Sequence, residues 1–245
     1  MNNEFKNKNI LITGGSSGIG LNLAKFFIKK GANIITVSRS KKIPLSKNKK
    51  LSHISFDLTH FHKYDLLFRN IIKKFGPVNY FIHAAGVHLI KPIKFVTQKD
   101  IDRTFNINLK SAILISKYFS NKDFFKRPCS VLFIASVMGV VGSPGLTIYS
   151  ASKSALIGFT KSLSAELASQ NIRVNCLSPG IVKSPLYQEY KKQLTSEMNK
   201  KIIESHPLGL GNFTDINNSA NFLLSNDSRW ITGHNLIIDG GYSTI

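Results

Sequence analysis

The chain has 245 residues, of which 42% are hydrophobic, and its 33 Lys and Arg outweigh 13 Asp and Glu to give a net charge of +20. The near-average hydrophobic content excludes wholesale disorder, and the length suits one large α/β domain or two small ones. The polar start and the lack of an apolar run of about 18 residues predict neither a signal peptide nor a spanning helix, so we expect a cytoplasmic protein.

The positive charge admits two interpretations. It favours an acidic partner such as nucleic acid, a membrane surface or an acidic carrier, or it reflects lysines spread over solvated faces. The lysines scatter along the chain without interleaved aromatic residues, so we expect neither a nucleic-acid nor a membrane partner. Cys129 and Cys176 lie in apolar runs without metal-ligand spacing, which predicts buried thiols in a reducing compartment and no metal site.

The first predicted elements are a strand, a glycine turn and a helix. The apolar strand Asn9–Thr13 is followed at once by Gly14, Gly18 and Gly20, and then by a helical period over residues 21–30. Glycines at such a turn let the backbone approach a pyrophosphate, whose charge is met by the helix N-terminus. This order of elements therefore predicts a dinucleotide site rather than an ordinary glycine turn.

The end of the second predicted strand bears on the choice of cofactor. That strand covers residues 33–37 and is followed by Ser38 and Arg39. An acidic residue in this region usually holds the ribose 2′-hydroxyl of NAD, whereas an arginine suits the 2′-phosphate of NADP. We therefore expect NADP(H) to be preferred over NAD(H). Residues 40–51 are short, lysine-rich and contain Pro44, which predicts a loop rather than a helix.

The rest of the chain continues the alternation of strands and helices. Further strands are predicted at 52–56, 78–82, 130–135, 172–177 and Asn235–Ile238. Further helices are predicted at Tyr64–Phe75, 101–119, 149–169 and 214–224. This alternation predicts a single doubly wound, Rossmann-like α/β domain over residues 1–245, with a parallel seven-stranded sheet flanked by helices on both faces.

A candidate proton donor stands in the helix predicted to begin at Tyr149. Lys153 is four residues on, so the two side chains share one helix face. An ammonium about 4 Å from a phenol favours the phenolate by about 4 kcal/mol at an effective dielectric of about 20. Ser136 follows the strand at 130–135, where its hydroxyl is placed to hold a carbonyl oxygen. The alternative is a buried tyrosine beside a snorkelling lysine.

Taken together, these motifs resemble the short-chain dehydrogenase/reductase family, in its compact single-domain form, across nearly the whole chain. The glycine turn from Thr13 to Gly20 resembles the family's cofactor signature, and Ser136, Tyr149 and Lys153 resemble its catalytic signature. Asn108 is similar to the family's fourth catalytic residue. The overall likeness is strongest to 3-oxoacyl-carrier-protein reductases, although many alcohol and sugar dehydrogenases share it.

The resemblance implies an NADP(H)-dependent oxidoreductase that transfers hydride between the nicotinamide and a ketone or secondary alcohol, free or carrier-bound. Tyr149 would move the proton, Lys153 would lower its pKa and hold the ribose, Ser136 would orient the carbonyl, and Asn108 would hold a water. The implied cofactor-binding residues are Gly14, Ser16, Ser17, Gly18, Ile19, Gly20, Ser38, Arg39, Asp57, Leu58, Ala84, Ala85, Gly86, Tyr149, Lys153, Pro179, Gly180, Ile181, Val182 and Ser184.

The sequence departs from the family pattern at three places. His83 and Ala84 replace two asparagines, Ser184 stands where a threonine often contacts the nicotinamide, and residues 40–51 are too short for the usual helix. A sugar or other small-alcohol dehydrogenase, a nucleotide-sensing scaffold without chemistry, and a nucleic-acid binder are the competing hypotheses. The intact catalytic set argues against the scaffold, since a sensor needs no proton donor.

Two further expectations concern substrate access and assembly. Residues 183–211 follow the strand that ends near Gly180, so they can reach the mouth of the site. They are hydrophilic and contain a helical pattern between Pro185 and Pro207, so we expect a substrate lid. The helices at 101–119 and 149–169 are those through which family members associate. We therefore expect a homodimer or homotetramer.

Overall fold

The computed structural model describes residues 4–45, 47–192 and 195–244. Seven parallel strands form one sheet in the order β3-β2-β1-β4-β5-β6-β7. The strands are β1 (Asn9–Thr13), β2 (Asn33–Ser38), β3 (Leu51–Ser55), β4 (Val78–His83), β5 (Phe125–Ile134), β6 (Ile172–Pro179) and β7 (Asn235–Ile238). The predicted doubly wound fold with a seven-stranded parallel sheet is confirmed.

Eight α-helices accompany the sheet in the described part of the chain. They are α1 (Gly18–Lys29), α2 (Tyr64–Phe75), α3 (Gln98–Phe105), α4 (Ser111–Ser116), α5 (Thr147–Leu167), α6 (Pro185–Lys191), α7 (Ser196–Glu204) and α8 (Phe213–Leu224). The described residues between positions 40 and 50 form no helix, as predicted. No helix in the described ranges is both long and apolar enough to cross a membrane.

The single helix predicted over residues 101–119 is wrong. Helix α3 begins three residues earlier, because Thr97 and Asp100 form a capping box at its N-terminus. A π-helical segment, Asn106–Lys110, then separates α3 from α4. Short π segments inside α-helices are frequent at functional sites. The residue that such a segment inserts turns the following side chains out of the α-helical register.

The core lies on both faces of the sheet, as alternation along the strands requires. On one face, Leu11 and Phe81 pack with α2, α4 and α5; on the other, Ile12 and Ile82 pack with α1 and α8. All four of these side chains are fully buried. Because strand order reverses between β1 and β4, their carboxyl ends border a crevice in which ligands bind in open α/β sheets.

Candidate active site

Asn108 is the buried centre of the π-helical segment. Its Oδ1 accepts a hydrogen bond from the backbone N–H of Val87 at 2.8 Å, and its Nδ2 donates to the Val87 carbonyl at 3.1 Å. Nδ2 also donates to Oγ of Ser152 on α5 at 3.0 Å. The amide therefore fixes the segment that follows β4 and ties it to α5.

Ser136, Tyr149 and Lys153 converge at the carboxyl ends of β5 and β4. Ser136 is the second residue after the end of β5, and its Oγ accepts a hydrogen bond from the backbone N–H of Met138 at 3.2 Å. Lys153 is buried, and its Nζ donates to the carbonyl of Ile134 at 2.8 Å. The same Nζ lies 5.8 Å from the centre of the Tyr149 ring. The structure thus brings together the three side chains that the sequence selected.

The electrostatics of this cluster differ from the expectation that Lys153 lowers the pKa of the Tyr149 phenol. Burial raises the pKa of Tyr149, and hydrogen bonding with the Ser136 hydroxyl opposes that rise. Burial also lowers the pKa of Lys153 to about 8, although the nearby Cys176 opposes this effect. In this arrangement the Lys153 ammonium is engaged by a backbone carbonyl rather than by the phenol oxygen, so Ser136 is the closer influence on Tyr149.

His83 is buried and hydrogen-bonded close to the candidate catalytic residues. Its Nδ1 lies 2.8 Å from Oγ1 of Thr13, and its Nε2 lies 3.4 Å from Oγ of Ser111. Ser111 gives its own proton to the Ile107 carbonyl at 2.7 Å, so Nε2 is the imidazole nitrogen that carries the hydrogen. Burial, helped by the charge of Lys153, lowers the pKa of His83 to about 3. The replacement of the family's asparagine therefore retains local hydrogen bonding.

The glycine turn forms a close backbone approach at the start of α1. A Cβ added at Gly14 would lie 2.6 Å from the Ala85 nitrogen, and one at Gly20 would lie 2.4 Å from the Gly14 carbonyl oxygen. Ser17 is the N-cap of α1 but accepts no capping hydrogen bond with its side chain. The N-terminus of this helix thus offers N–H groups to an anion such as a pyrophosphate.

The ends of β2 and β3 border a cavity of about 420 Å³. Arg39, Asp57, His60 and Lys63 are among its lining residues. Burial raises the pKa of Asp57, but hydrogen bonds from Thr59 and the charges of Arg39 and His60 outweigh that effect and hold it below its ordinary value.

Next to this cavity, the Oγ of Ser38 is buried and has no hydrogen-bond partner among the described residues. A buried hydroxyl without a partner costs free energy, so its retention is explained if a ligand supplies the missing partner. The cationic lining and this hydroxyl fit the phosphorylated adenosine half of a dinucleotide.

The other predicted cofactor residues differ in how their side chains and backbone are engaged. Leu58 and Ala85 are buried in the hydrophobic core, so only their backbone atoms remain to face a ligand. Gly180 donates to the Ile238 carbonyl at 3.0 Å, which fixes the backbone beyond β6. Ser184 accepts a hydrogen bond from the Tyr187 N–H at 3.2 Å, so its hydroxyl oxygen is engaged by the backbone of α6 in this structure.

Next to the candidate catalytic residues, Gly86 lies where an added Cβ would be 3.4 Å from Asn108 Oδ1. The further predicted positions lie on the glycine turn and the start of α1 (Ser16 and Ile19), directly after β4 (Ala84), and at or after the end of β6 (Pro179, Ile181 and Val182).

His88 is the residue at this site that the sequence analysis missed. Its ring meets the Tyr149 ring edge to face, with centroids 4.6 Å apart and planes at 80°. His88 is exposed overall, but the packing of its ring against Tyr149 removes part of the imidazole from water, and this desolvation and the charge of Lys153 lower its pKa. The available signal was its position two residues after Gly86, because residues that follow strand ends in this fold face the ligand crevice.

The segment 183–211 contains two helices, α6 and α7, rather than one helical piece. Its two ends are joined where Lys183 N–H donates to the Gly211 carbonyl at 2.8 Å and Gly211 N–H donates to the Ile181 carbonyl at 3.0 Å. The helices are linked by a hydrogen bond of 2.7 Å from the Tyr187 hydroxyl to Asn199 Oδ1. No residue of α7 is buried. Positions 193 and 194 lie outside the described residues.

A family model described as "Enoyl-(Acyl carrier protein) reductase" matches residues 14–243. A 3-oxoacyl-[acyl-carrier-protein] reductase FabG of Chlamydia muridarum is 32% identical over 250 residues, covering 98% of this chain and 99% of the relative. The chain belongs to the short-chain dehydrogenase/reductase family. Membership confirms that it is an oxidoreductase acting on CH–OH groups, as the motifs predicted.

Solved structures of the family are similar over the same length. ElxO with NADP bound is 31% identical with a TM-score of 0.88, covering 98% of this chain and all of that one. A tyrosine-to-phenylalanine variant of ElxO with NADPH bound has the same TM-score and is 30% identical. The 4-hydroxyisoleucine dehydrogenase complexed with NADH is 30% identical with a TM-score of 0.89, over 98% of this chain and all of that one. These neighbours include both nicotinamide cofactors.

Proposed function

We propose that this protein is an NADP(H)-dependent reductase that converts a ketone to a secondary alcohol, with a 3-oxoacyl thioester as its substrate class. The observation that carries the proposal is the convergence of Ser136, Tyr149 and buried Lys153 at the strand ends that border the crevice. A half-buried phenol beside a hydroxyl and an ammonium is the equipment of a proton donor that works next to a developing alkoxide.

In the proposed reaction, the chain's own residues hold the carbonyl and move the proton. When bound, NADPH would supply a hydride to the carbonyl carbon. Ser136 donates a hydrogen bond to the carbonyl oxygen, and Tyr149 gives its phenolic proton to the same oxygen. Lys153 stabilises the phenolate that remains, because the opposite charge favours the ionised form. Asn108 keeps the Val87 backbone fixed at 2.8 Å while this occurs, so the crevice keeps its shape.

The choice of a 3-oxoacyl thioester rests on the relatives, several of which are 3-oxoacyl-[acyl-carrier-protein] reductases. The competing proposal is a dehydrogenase of sugars or other small alcohols in the same family. Purified protein should be screened with NADPH against 3-oxoacyl thioesters, simple ketones and ketoses by following cofactor absorbance at neutral pH. Faster turnover of ketoses than of every 3-oxoacyl thioester would overturn the substrate assignment.

The acidic-carrier hypothesis gains little from the lid. Three of its lysines form ion pairs with glutamates on the lid itself: Lys192 with Glu189, Lys200 with Glu204 and Lys201 with Glu197. All three pairs are exposed, so they contribute little to stability, but they reduce the positive charge that the lid offers to an acidic partner. The carrier-bound form of the substrate therefore rests on the relatives alone.

The preference for NADP(H) is proposed from Arg39 and the unpartnered Ser38 hydroxyl. We expect NADP(H) to bind at least tenfold tighter than NAD(H), a difference of about 1.4 kcal/mol. Arg39→Asp should narrow or reverse the gap, because it exchanges an attraction for a repulsion of the 2′-phosphate. Titration of both cofactors by fluorescence measures the two dissociation constants. Lys47→Asp makes the same charge change outside the cavity lining and serves as the control. Equal affinities in the wild type would refute the preference.

We propose that residues 183–211 act as a lid over the substrate. Support comes from its closed base at Gly211, its exposed helix α7 and its position directly after β6. A segment with so little core of its own should open more readily than the sheet, and closing it would exclude water from the reaction. Amide hydrogen exchange should show weak protection of residues 186–206 in the free protein and a gain on addition of NADPH and substrate. Full protection without change would identify a fixed wall.

Self-association as a homodimer or homotetramer is proposed from the family pattern. On α5, the apolar residues Leu156, Leu163 and Leu167 are buried within the chain's own core, so they leave less apolar surface for a partner than the sequence suggested. Light scattering at micromolar protein gives the mass directly, and a monomeric mass would remove this proposal.

A further inference from the structure

His88 stands beside the catalytic phenol without a role in the reaction described above. Its ring edge contacts the Tyr149 ring, with centroids 4.6 Å apart. Of the two cationic or titratable side chains next to that phenol, Lys153 is buried whereas His88 is exposed. His88 is therefore the one that an arriving substrate meets from the solvent side.

The segment that holds His88 is anchored at both ends. On the preceding residue, Val87, Asn108 binds both the N–H and the carbonyl. Three residues after His88, the N–H of Lys91 donates to the carbonyl of Gly145, in the loop before α5, at 2.7 Å. The side chain of Lys91 is in turn held by Asp100 at 2.6 Å. Such anchoring gives His88 a defined position against Tyr149 rather than that of a freely moving surface side chain.

At neutral pH the imidazole beside Tyr149 is an uncharged group with one N–H donor and one acceptor. The groups that face it from α5 are Lys153 and Tyr149, and the lysine charge disfavours a second positive charge here. Lys91, on the same segment, is already paired with Asp100. A neutral donor suits a neutral carbonyl oxygen better than it suits a carboxylate or a phosphate, which a cation would attract more strongly.

We propose that His88 is a substrate-contacting residue that donates a hydrogen bond to the second carbonyl of a 3-oxo thioester, and thereby selects such substrates over simple ketones. This inference rests on the proposed function. When the reacting carbonyl oxygen lies between Ser136 and Tyr149, a single methylene separates the reacting carbonyl carbon from the second carbonyl of the substrate. A group in contact with the Tyr149 ring is close enough to meet it. Sites that hydrogen-bond a substrate oxygen discriminate strongly against analogues that lack it.

The test compares two substrates and two variants. The substrates are acetoacetyl-coenzyme A, which has the second carbonyl, and cyclohexanone, which lacks it. His88→Phe keeps an aromatic edge against Tyr149 but removes the donor, whereas His88→Asn keeps a donor without the ring. The measured quantity is kcat/KM for acetoacetyl-coenzyme A divided by kcat/KM for cyclohexanone. We expect His88→Phe to lower this ratio at least tenfold, mainly through KM, and His88→Asn to recover part of it.

The control variant is His234→Phe, an exposed histidine directly before β7, at the amino end of an edge strand, whereas the crevice lies at the carboxyl ends of central strands. It should leave the ratio unchanged. If His88→Phe lowers both rates equally, His88 only supports the Tyr149 ring, and the proposal is overturned. An unchanged ratio with unchanged rates overturns it as well, because the imidazole then faces solvent.

A binding measurement separates this inference from the proposed reaction. In the Tyr149→Phe background saturated with NADP⁺, the dissociation constant of acetoacetyl-coenzyme A should rise at least tenfold when His88→Phe is added. This readout needs no turnover, so an inactive wild type would refute the proposed function while leaving the His88 contact to be judged by binding. Identical dissociation constants for the Tyr149→Phe variant and for the double variant with His88→Phe would refute the contact itself.

Discussion

Replacing Tyr149 by phenylalanine is expected to lower kcat for ketone reduction by about 100- to 10,000-fold, the usual contribution of a positioned general acid. Phenylalanine keeps the ring that contacts His88 and Lys153 and removes only the hydroxyl that faces Ser136. Cofactor binding should persist, since the proposed dinucleotide site is built from the glycine turn and the Arg39 cavity.

The measurement is kcat under saturating NADPH, together with the dissociation constant of NADPH for both proteins. Tyr118→Phe is the matched control, because its half-buried hydroxyl contacts Asp65 on α2, away from the crevice. It should keep the wild-type rate. If Tyr149→Phe retains more than a tenth of the wild-type kcat, Tyr149 is not the proton donor and another group must be sought near Ser136.

The sequence predicted the sheet well for a physical reason. Stretches buried on both faces, such as residues 129–134 of β5, are mainly apolar and differ sharply from the two basic residues and the proline before them, 126–128. The segment Asn106–Lys110 was harder, because a π turn has no periodic signature of its own. Its asparagines nevertheless gave a usable signal: an asparagine is locally unfavourable inside a helix, and Asn108 proved to hold the Val87 backbone.

The candidate site was predictable where its residues share one element and less so where they do not. Tyr149 and Lys153 are four apart on α5, so their proximity follows from helix geometry. The contact between His88 and Tyr149 joins the loop after β4 to α5, two segments far apart in the chain, so no local sequence pattern predicts it. The sign of the electrostatics was also beyond the sequence. Burial raises the pKa of Tyr149 and lowers the pKa of Lys153, and the extent of burial depends on the whole fold.

His83 should make the stability of this protein depend on pH between about 6.5 and 3. The unfolded chain binds a proton at an ordinary histidine near pH 6.5, whereas burial lowers the pKa of native His83 to about 3. Within that window the unfolded state holds more protons, so acid favours unfolding. The stabilisation is fully present above about pH 6.5 and falls by about 1.4 kcal/mol per pH unit below it. From pH 7.5 to pH 5.0 the loss from this one group is about 2 kcal/mol.

The test is urea unfolding of the wild type and His83→Asn at pH 7.5 and pH 5.0. Asparagine offers an acceptor for Thr13 and a donor for Ser111 but does not titrate, so its free energy of unfolding should fall by about 2 kcal/mol less than that of the wild type. His234→Asn removes an exposed histidine and is the control. Equal losses for the wild type and His83→Asn would show that native His83 binds its proton as the unfolded chain does. The neutral state matters for catalysis too, because a charged His83 would place a second cation near Lys153, whose charge already disfavours protonation there.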